Sequence, residues 1–320
     1  MAEAKLHPQA RMVCDLIVAS GRPPIETQTP AEARAAYLAS RKVLQPDADD
    51  VAEVRELAAP GPAGRIPLRL YRGKGCTGDA LQPALVYFHG GGWVIGDLES
   101  HDQVCRAIAN ATPLIVVAVD YRLAPEHKFP GAVEDALAAT RWLAEHAPGI
   151  GIDSGRLAVG GDSAGGNLAA VVALADRQSD PRIRVQLLIY PCTDMGPGAC
   201  ERASWKRHAA QLPLTRAGTD WFIAHYLNGE AEKADWRASP LRAKSFAGAP
   251  PALVITAEFD PLCDEGEAYA DALKRAGVSV VLERFPGQIH GFLAMGRIIE
   301  DAQRAVEVCA STLRGAFGMA

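Results

Sequence analysis

The sequence predicts an α/β protein, a mostly parallel sheet covered by helices on both faces. Three observations carry that expectation. From about residue 50, short apolar stretches suited to strands (66–71, 84–88, 114–119, 157–159, 185–190, 252–257 and 280–285) alternate with helix-like ones. Two glycine-rich runs, His89-Gly90-Gly91-Gly92 and Gly161-Asp162-Ser163-Ala164-Gly165, each follow one of these stretches directly. At 320 residues and 48% hydrophobic content, the chain can bury one large core.

In the Gly-x-Ser-x-Gly run, small residues on either side let a chain leaving a strand turn sharply into a helix and push the serine into an exposed, strained position. Leu157-Ala158-Val159 reads as the strand before it, and residues 167–174, rich in Ala and Leu, as the helix after it. Three glycines after Ala84-Leu85-Val86-Tyr87-Phe88 free the backbone to aim its N–H groups at one point, which suits an anion. A dinucleotide fingerprint from Gly90, Gly92 and Gly96, with Asp120 ending the next strand, is the rival reading. Its third glycine is displaced, and Asp97, Glu99 and Asp102 would put carboxylates where phosphate should sit.

A serine hydroxyl needs a base, and the base needs an acid. On this strand–turn–helix framework the order is Ser, acid, His. Of His208, His225 and His290, only His290 lies on a loop just past a strand, 280–285, and before a final helix beginning near residue 298. His225 falls within a helix-like run, 219–227, and His208 in a polar connection. Asp260 is the first aspartate past the carboxyl end of strand 252–257, stiffened by Pro261. Its neighbours read differently: Glu258 is still on the strand end, and Asp264 suits the cap of a helix over 265–276. Gly91, Ser163, Asp260 and His290 thus all fall at carboxyl ends of strands, where open α/β sheets place their sites.

Two regions break the alternation. Residues 1–50 hold an amphipathic run around Met12, Val13, Leu16 and Ile17, then a second helix opening with the capping box Thr29-Pro30-Ala31-Glu32. Residues 192–240 form a long polar insertion with tryptophans and one helix near 219–227, a length that points to function. The short Gly- and Pro-containing stretches 60–64 and 73–78 read as turns.

The formal charge of −5 is spread without blocks, which argues against nucleic acid as a partner. No apolar run is long enough to span a membrane, and Met-Ala-Glu-Ala-Lys lacks a signal-peptide segment, so the expected location is the cytoplasm. Seven scattered cysteines without metal-ligand spacing fit free, mostly buried thiols, and Cys192, next to the Tyr190-Pro191 strand end, fits packing at the border of the site.

The chain resembles the bacterial branch of the hormone-sensitive lipase family, esterases of the α/β-hydrolase fold. The resemblance rests on His89-Gly90-Gly91-Gly92-Trp93, Tyr121-Arg122-Leu123-Ala124-Pro125-Glu126-His127, Gly161-Asp162-Ser163-Ala164-Gly165-Gly166-Asn167, Asp260-Pro261-Leu262 and His290-Gly291-Phe292, and extends from about residue 50 onward. It implies a catalytic domain over 51–320, a triad of Ser163, Asp260 and His290, and an oxyanion hole from the N–H groups of Gly91, Gly92 and Ala164. His89 would shape the glycine loop, and the 121–127 segment would be scaffold. It further implies a helical cap built from 1–50 and 192–240, with Trp93 and Phe222 as candidates for lining the pocket and core packing as their competing role. The implied chemistry is hydrolysis of small-molecule carboxylic esters of short to medium acyl chain through an acyl-enzyme, with no metal or cofactor, and family members often pair through sheet-edge elements as homodimers. The same triad also serves amide hydrolysis, and some relatives are binding proteins that have lost the histidine; His290 argues against the latter.

Overall fold

A computed structural model describes residues 5–76, 80–177 and 183–319. Eight strands form one sheet in the order β1-β2-β4-β3-β5-β6-β7-β8. They are β1 (Glu53–Gly61), β2 (Gly64–Arg72), β3 (Gln82–Phe88), β4 (Ile115–Val119), β5 (Ile152–Asp162), β6 (Ile183–Ile189), β7 (Ala252–Phe259) and β8 (Val280–Ile289). The first two are an antiparallel hairpin, β2 meets β4 antiparallel, and β3 to β8 run parallel.

Around the sheet lie α1 (Pro8–Ala19), α2 (Pro30–Leu44), α3 (Asp102–Ala111), α4 (Gly131–His146), α5 (Ala164–Asp176), α6 (Ala203–His208), α7 (Arg216–Tyr226), α8 (Cys263–Arg275) and α9 (Asp301–Phe317). The period of two along the strands sorts side chains between two cores. Ala84, Val86 and Phe88 of β3 pack into the core under α4, α5 and α8. Leu85 and Tyr87 point the other way, into the core under α1, α3 and α9. Because both faces are covered, the central strands read as unbroken apolar runs.

Several boundaries differ from the sequence reading, β8 for one running on to Ile289 rather than 285, and one strand was missed. β1 opens with Glu53, Arg55 and Glu56 and lies at the sheet edge with Val54 exposed, so it lacks the continuous apolar signal of its neighbours. β5 begins five residues earlier than the apolar run 157–159, because its first turn of strand, Asp153-Ser154-Gly155-Arg156, is polar and partly exposed. The last helix starts at Asp301 rather than near 298, since Met295 to Glu300 is taken up by turns. Stretch 60–64 is the β1–β2 hairpin turn, closed at Gly61 and Gly64. Gly73-Lys74-Gly75 also turns, while residues 77 and 78 of the second expected turn, and residues 1–4 of the amino terminus, lie outside the described residues.

The α2 capping box is formed as the sequence predicts, with Thr29 Oγ1 accepting from the Glu32 N–H and Glu32 accepting from the Thr29 N–H. In α1, Val13 is buried, but Met12 and Leu16 face outward. The insertion between β6 and β7 contributes α6 and α7, and Gly218 of α7 leaves room for Ile25, so the amino-terminal region and the insertion touch. Among the described residues no helix is long and apolar enough to cross a membrane. Leu188, fully buried in the middle of β6, tests the sheet core: Leu188→Ala should cost about 2–5 kcal/mol, read as a lowered urea midpoint.

Candidate active site

The site is built where β5 passes into α5. Ser163 occupies the junction with φ +56° and ψ −117°, outside the regions an L-residue prefers. The neighbouring glycines make that bend fit. A Cβ on Gly161 would lie 2.3 Å from the Phe88 carbonyl oxygen, and one on Gly165 would lie 1.9 Å from the same atom. The helix therefore packs directly against the end of β3, and the serine stands clear on the crest of the turn.

His290 follows β8 and Asp260 follows β7, and the structure brings both to Ser163. His290 Nε2 lies 2.8 Å from Ser163 Oγ, and His290 Nδ1 lies 2.7 Å from Asp260 Oδ2. The fully buried Asp260 carboxylate also accepts from the Leu262 N–H at 2.9 Å, which fixes the oxygen left free by His290. Facing an acceptor carboxylate, Nδ1 carries the proton and Nε2 is left as the lone pair opposite the hydroxyl. Tyr190 packs its ring 4.9 Å from the His290 ring, a support that the sequence reading, which ended a strand at Tyr190, did not assign.

The other histidines are elsewhere engaged. His225 Nδ1 bonds the Trp221 carbonyl inside α7, and His208 rests against Phe259, with burial and Arg207 lowering its pKa. Glu258 accepts from the Gly287 N–H. Asp264 does not cap α8: it lies inside the first turn and accepts from the Ser204 N–H at 2.7 Å, capping α6 instead. The reason is the order Leu262-Cys263, which lets the helix start one residue before Asp264.

The glycine loop lies across from Ser163. Gly91 and Gly92 have φ of +124° and +58°, and among the described residues their N–H groups make no internal hydrogen bond. Ala164 is the first residue of α5, where an N–H has no helical partner. Gly96, proposed by the rival reading as a phosphate glycine, instead packs against Gly90 and His89, and residues 97–100 form a turn rather than a helix. Phe222 of α7 presses on Gly92, where a Cβ would meet its ring at 2.3 Å. Trp93 is buried and lies flat on Tyr226, ring centres 4.3 Å apart.

On the insertion side, a cavity of about 370 Å³ is lined by Cys192, Met195, Trp205, Ile223 and Leu262, with a charged rim in which Asp194, Glu201, Asp220 and Glu230 accompany Arg216 and Lys233. Two of its lining residues bond to Ser163 and Asp260: the Cys192 N–H donates to the Ser163 carbonyl and the Leu262 N–H to the Asp260 carboxylate. Burial and nearby Glu265 push the Cys192 thiol well above its usual range, so it is a packing residue. Below the cavity, Glu265 is fully buried and accepts from the N–H groups of Thr193 and Asp194 and from Trp205 Nε1. Sequence reading missed it, because its partners come from an irregular insertion.

This fold and this Ser–His–Asp geometry define a serine hydrolase of the α/β type. A family model described as alpha/beta hydrolase fold matches residues 85–294, and the chain belongs to that family, in its hormone-sensitive-lipase-like branch. The carboxylic ester hydrolase LipN of Mycobacterium tuberculosis is 44% identical over 82% of this chain and 70% of its own length. The ethyl acetate hydrolase of Pseudomonas putida is 41% identical over 88% of this chain and 89% of its own. Among solved structures, the ester-hydrolase EH1AB1 from the metagenome of Lake Arreo superimposes with TM-score 0.94 at 42% identity, over 98% of this chain and all of that one. The chain is an ester-hydrolysing enzyme, a carboxylic ester hydrolase.

Burial raises the Glu265 carboxyl to about 7, against the hydrogen bonds that lower it. The folded state therefore holds that proton more tightly than the unfolded chain, and its contribution to stability is full below about pH 4.5 and is lost as pH rises through 7. Glu265→Gln should flatten this part of the melting-temperature profile between pH 5 and about 8, measured by thermal denaturation at fixed ionic strength.

Proposed function

We propose that Ser163 is the nucleophile, His290 its general base and Asp260 the group that orients His290, and that the enzyme cleaves small carboxylic esters of short to medium acyl chain. The observation that carries this reading is the unbroken relay from Asp260 Oδ2 through both His290 nitrogens to a strained, outward Ser163 hydroxyl. His290 takes the Ser163 proton as Oγ attacks the carbonyl carbon. The tetrahedral oxyanion then draws on the N–H groups of Gly91, Gly92 and Ala164, the last reinforced by the positive end of α5. His290 returns the proton to the departing alcohol, leaving an acyl-Ser163. A water deprotonated by His290 attacks that acyl group and releases the acid.

The amino-terminal region 1–50 and the insertion 192–240 form the cap over the reacting centre in this reading. Contact between Ile25 and α7, and the seat of Phe222 on Gly92, support it. Phe222 lines the pocket from the cap side, and Trp93 backs it through Tyr226. The cavity beside Cys192 and Leu262 takes the acyl chain, and its modest volume supports short to medium chains. Seven free cysteines, six of them buried, support a reducing cytoplasmic setting. The edge position of β8, with Val281 exposed, supports pairing of two copies as a homodimer.

Hydrolysis of p-nitrophenyl esters from acetate to palmitate tests the reading. Activity should peak at short to medium chains, and Ser163→Ala should lower kcat by about 10⁴-fold or more with the fold retained. A loss smaller than about tenfold would remove Ser163 from its role.

A further inference from the structure

Behind the glycine loop lies a buried polar cluster that the mechanism above leaves unused. Asp162, next to the nucleophile, is 4% exposed. Its Oδ1 accepts from the Gly90 N–H at 3.0 Å and from the Tyr87 hydroxyl at 2.8 Å, and lies 3.3 Å from His101 Nε2. The approach is so close that a Cβ on Gly90 would fall 2.3 Å from the other carboxylate oxygen. One side chain thus ties the nucleophile turn to the start of the glycine loop and to the head of α3.

His101 is 1% exposed and sits between Ser100 and Asp162. The Ser100 hydroxyl donates its only proton to the Asp97 carbonyl at 2.9 Å and accepts from the Asp97 N–H, so it offers a lone pair to His101 Nδ1 at 3.1 Å. Opposite Nε2 stands the Asp162 carboxylate, which also offers only lone pairs. The ring edge thus packs against a buried carboxylate, with Nε2 3.3 Å from Asp162 Oδ1.

The second anchor is His89. Burial and the neighbouring His101 lower its pKa to about 4, so the ring is neutral, and its Nδ1 lies 2.8 Å from the Gly90 carbonyl, to which it donates. Tyr121 stacks on this ring at 4.3 Å and donates to the His89 carbonyl at 2.7 Å. Gly90 is therefore held at its N–H by Asp162 and at its C=O by His89. In a trans peptide the C=O and the following N–H point in opposite directions, so fixing the Gly90 carbonyl fixes the aim of the Gly91 N–H.

Resting on the catalytic reading above, we propose that Asp162 and His101 are positioning residues that anchor the His89–Gly90 peptide and so, together with His89 on the Gly90 carbonyl, hold the Gly91 N–H on the developing oxyanion. Neither touches substrate. Their loss weakens the transition state more than the ground state, because an oxyanion demands the aimed N–H and a neutral carbonyl demands it less.

The test uses Asp162→Asn and His101→Gln, with p-nitrophenyl butyrate as substrate and diethyl p-nitrophenyl phosphate to titrate reactive serines. Each variant should lose about 10- to 100-fold in kcat per titrated site with KM within about threefold, and the double variant should be no worse than about the poorer single one. A kcat per titrated site within about threefold of the parent, or a loss confined to KM or to the titrated fraction, would overturn the proposal. If Asp162→Asn does not fold, His101→Gln and Tyr87→Phe, each removing one partner of the same oxygen, decide on the same criteria. Ser163→Ala run alongside separates the two readings, since retained activity there defeats the catalytic assignment and leaves this proposal without its basis.

Discussion

The close contact between the start of α5 and the end of β3 is the constraint on which the site depends. Gly161 and Gly165 bring backbone against the Phe88 carbonyl at distances no side chain would allow, and the residue between them is left with a positive φ. The cost of that conformation is of the order of 1–3 kcal/mol, and it is offset by the burial of α5, whose residues 164–174 are all inaccessible. A helix buried on every side is hard to shift. The strain at Ser163 is consequently held rather than relieved, and the hydroxyl stays where His290 can reach it.

Everything else in the constellation follows from parallel strands ending on one edge. β7 delivers Asp260 and β8 delivers His290, and because these strands are neighbours the two side chains meet without long loops. β3 delivers the glycine loop on the other side of β5. β5, which leads into Ser163, thus has the glycine loop beside it on one hand and, on the other, Asp260 two strands away and His290 three strands away. Short connections between rigid strands supply the tolerance of a few tenths of an ångström that proton transfer needs.

Most of this arrangement is legible in the sequence, for reasons that differ from residue to residue. Ser163, Asp260 and His290 could be placed because each follows an apolar run, so a linear pattern maps directly onto a sheet edge. The capping box at Thr29 is equally local and equally readable. β1 escaped because an edge strand needs only one buried face, and the start of β5 escaped because its opening residues are polar. Asp264 lies two residues inside the cap position, and its true partner, Ser204, is sixty residues away. Glu265 and His101 were invisible for the same reason: a buried polar group is defined by donors from distant segments, and nothing in its neighbours along the chain announces them.

Two aspartates stand near Ser163, and their environments differ. Asp260 faces the site, fully buried, with one oxygen on the Leu262 N–H and the other on His290. Asp162 faces away from it. Burial opposes its charge, but His101, Tyr87 and the charge of its surroundings outweigh that and hold its carboxyl at about 2, so it stays ionised throughout the working range. Replacing such a network with apolar groups of similar shape is often neutral for stability, so stability alone gives a poor reason for a carboxylate here. Geometry gives a better one. The carboxylate accepts from the Gly90 N–H and the Tyr87 hydroxyl and sets a charge against His101, so one side chain meets the glycine loop, β3 and the head of α3 together.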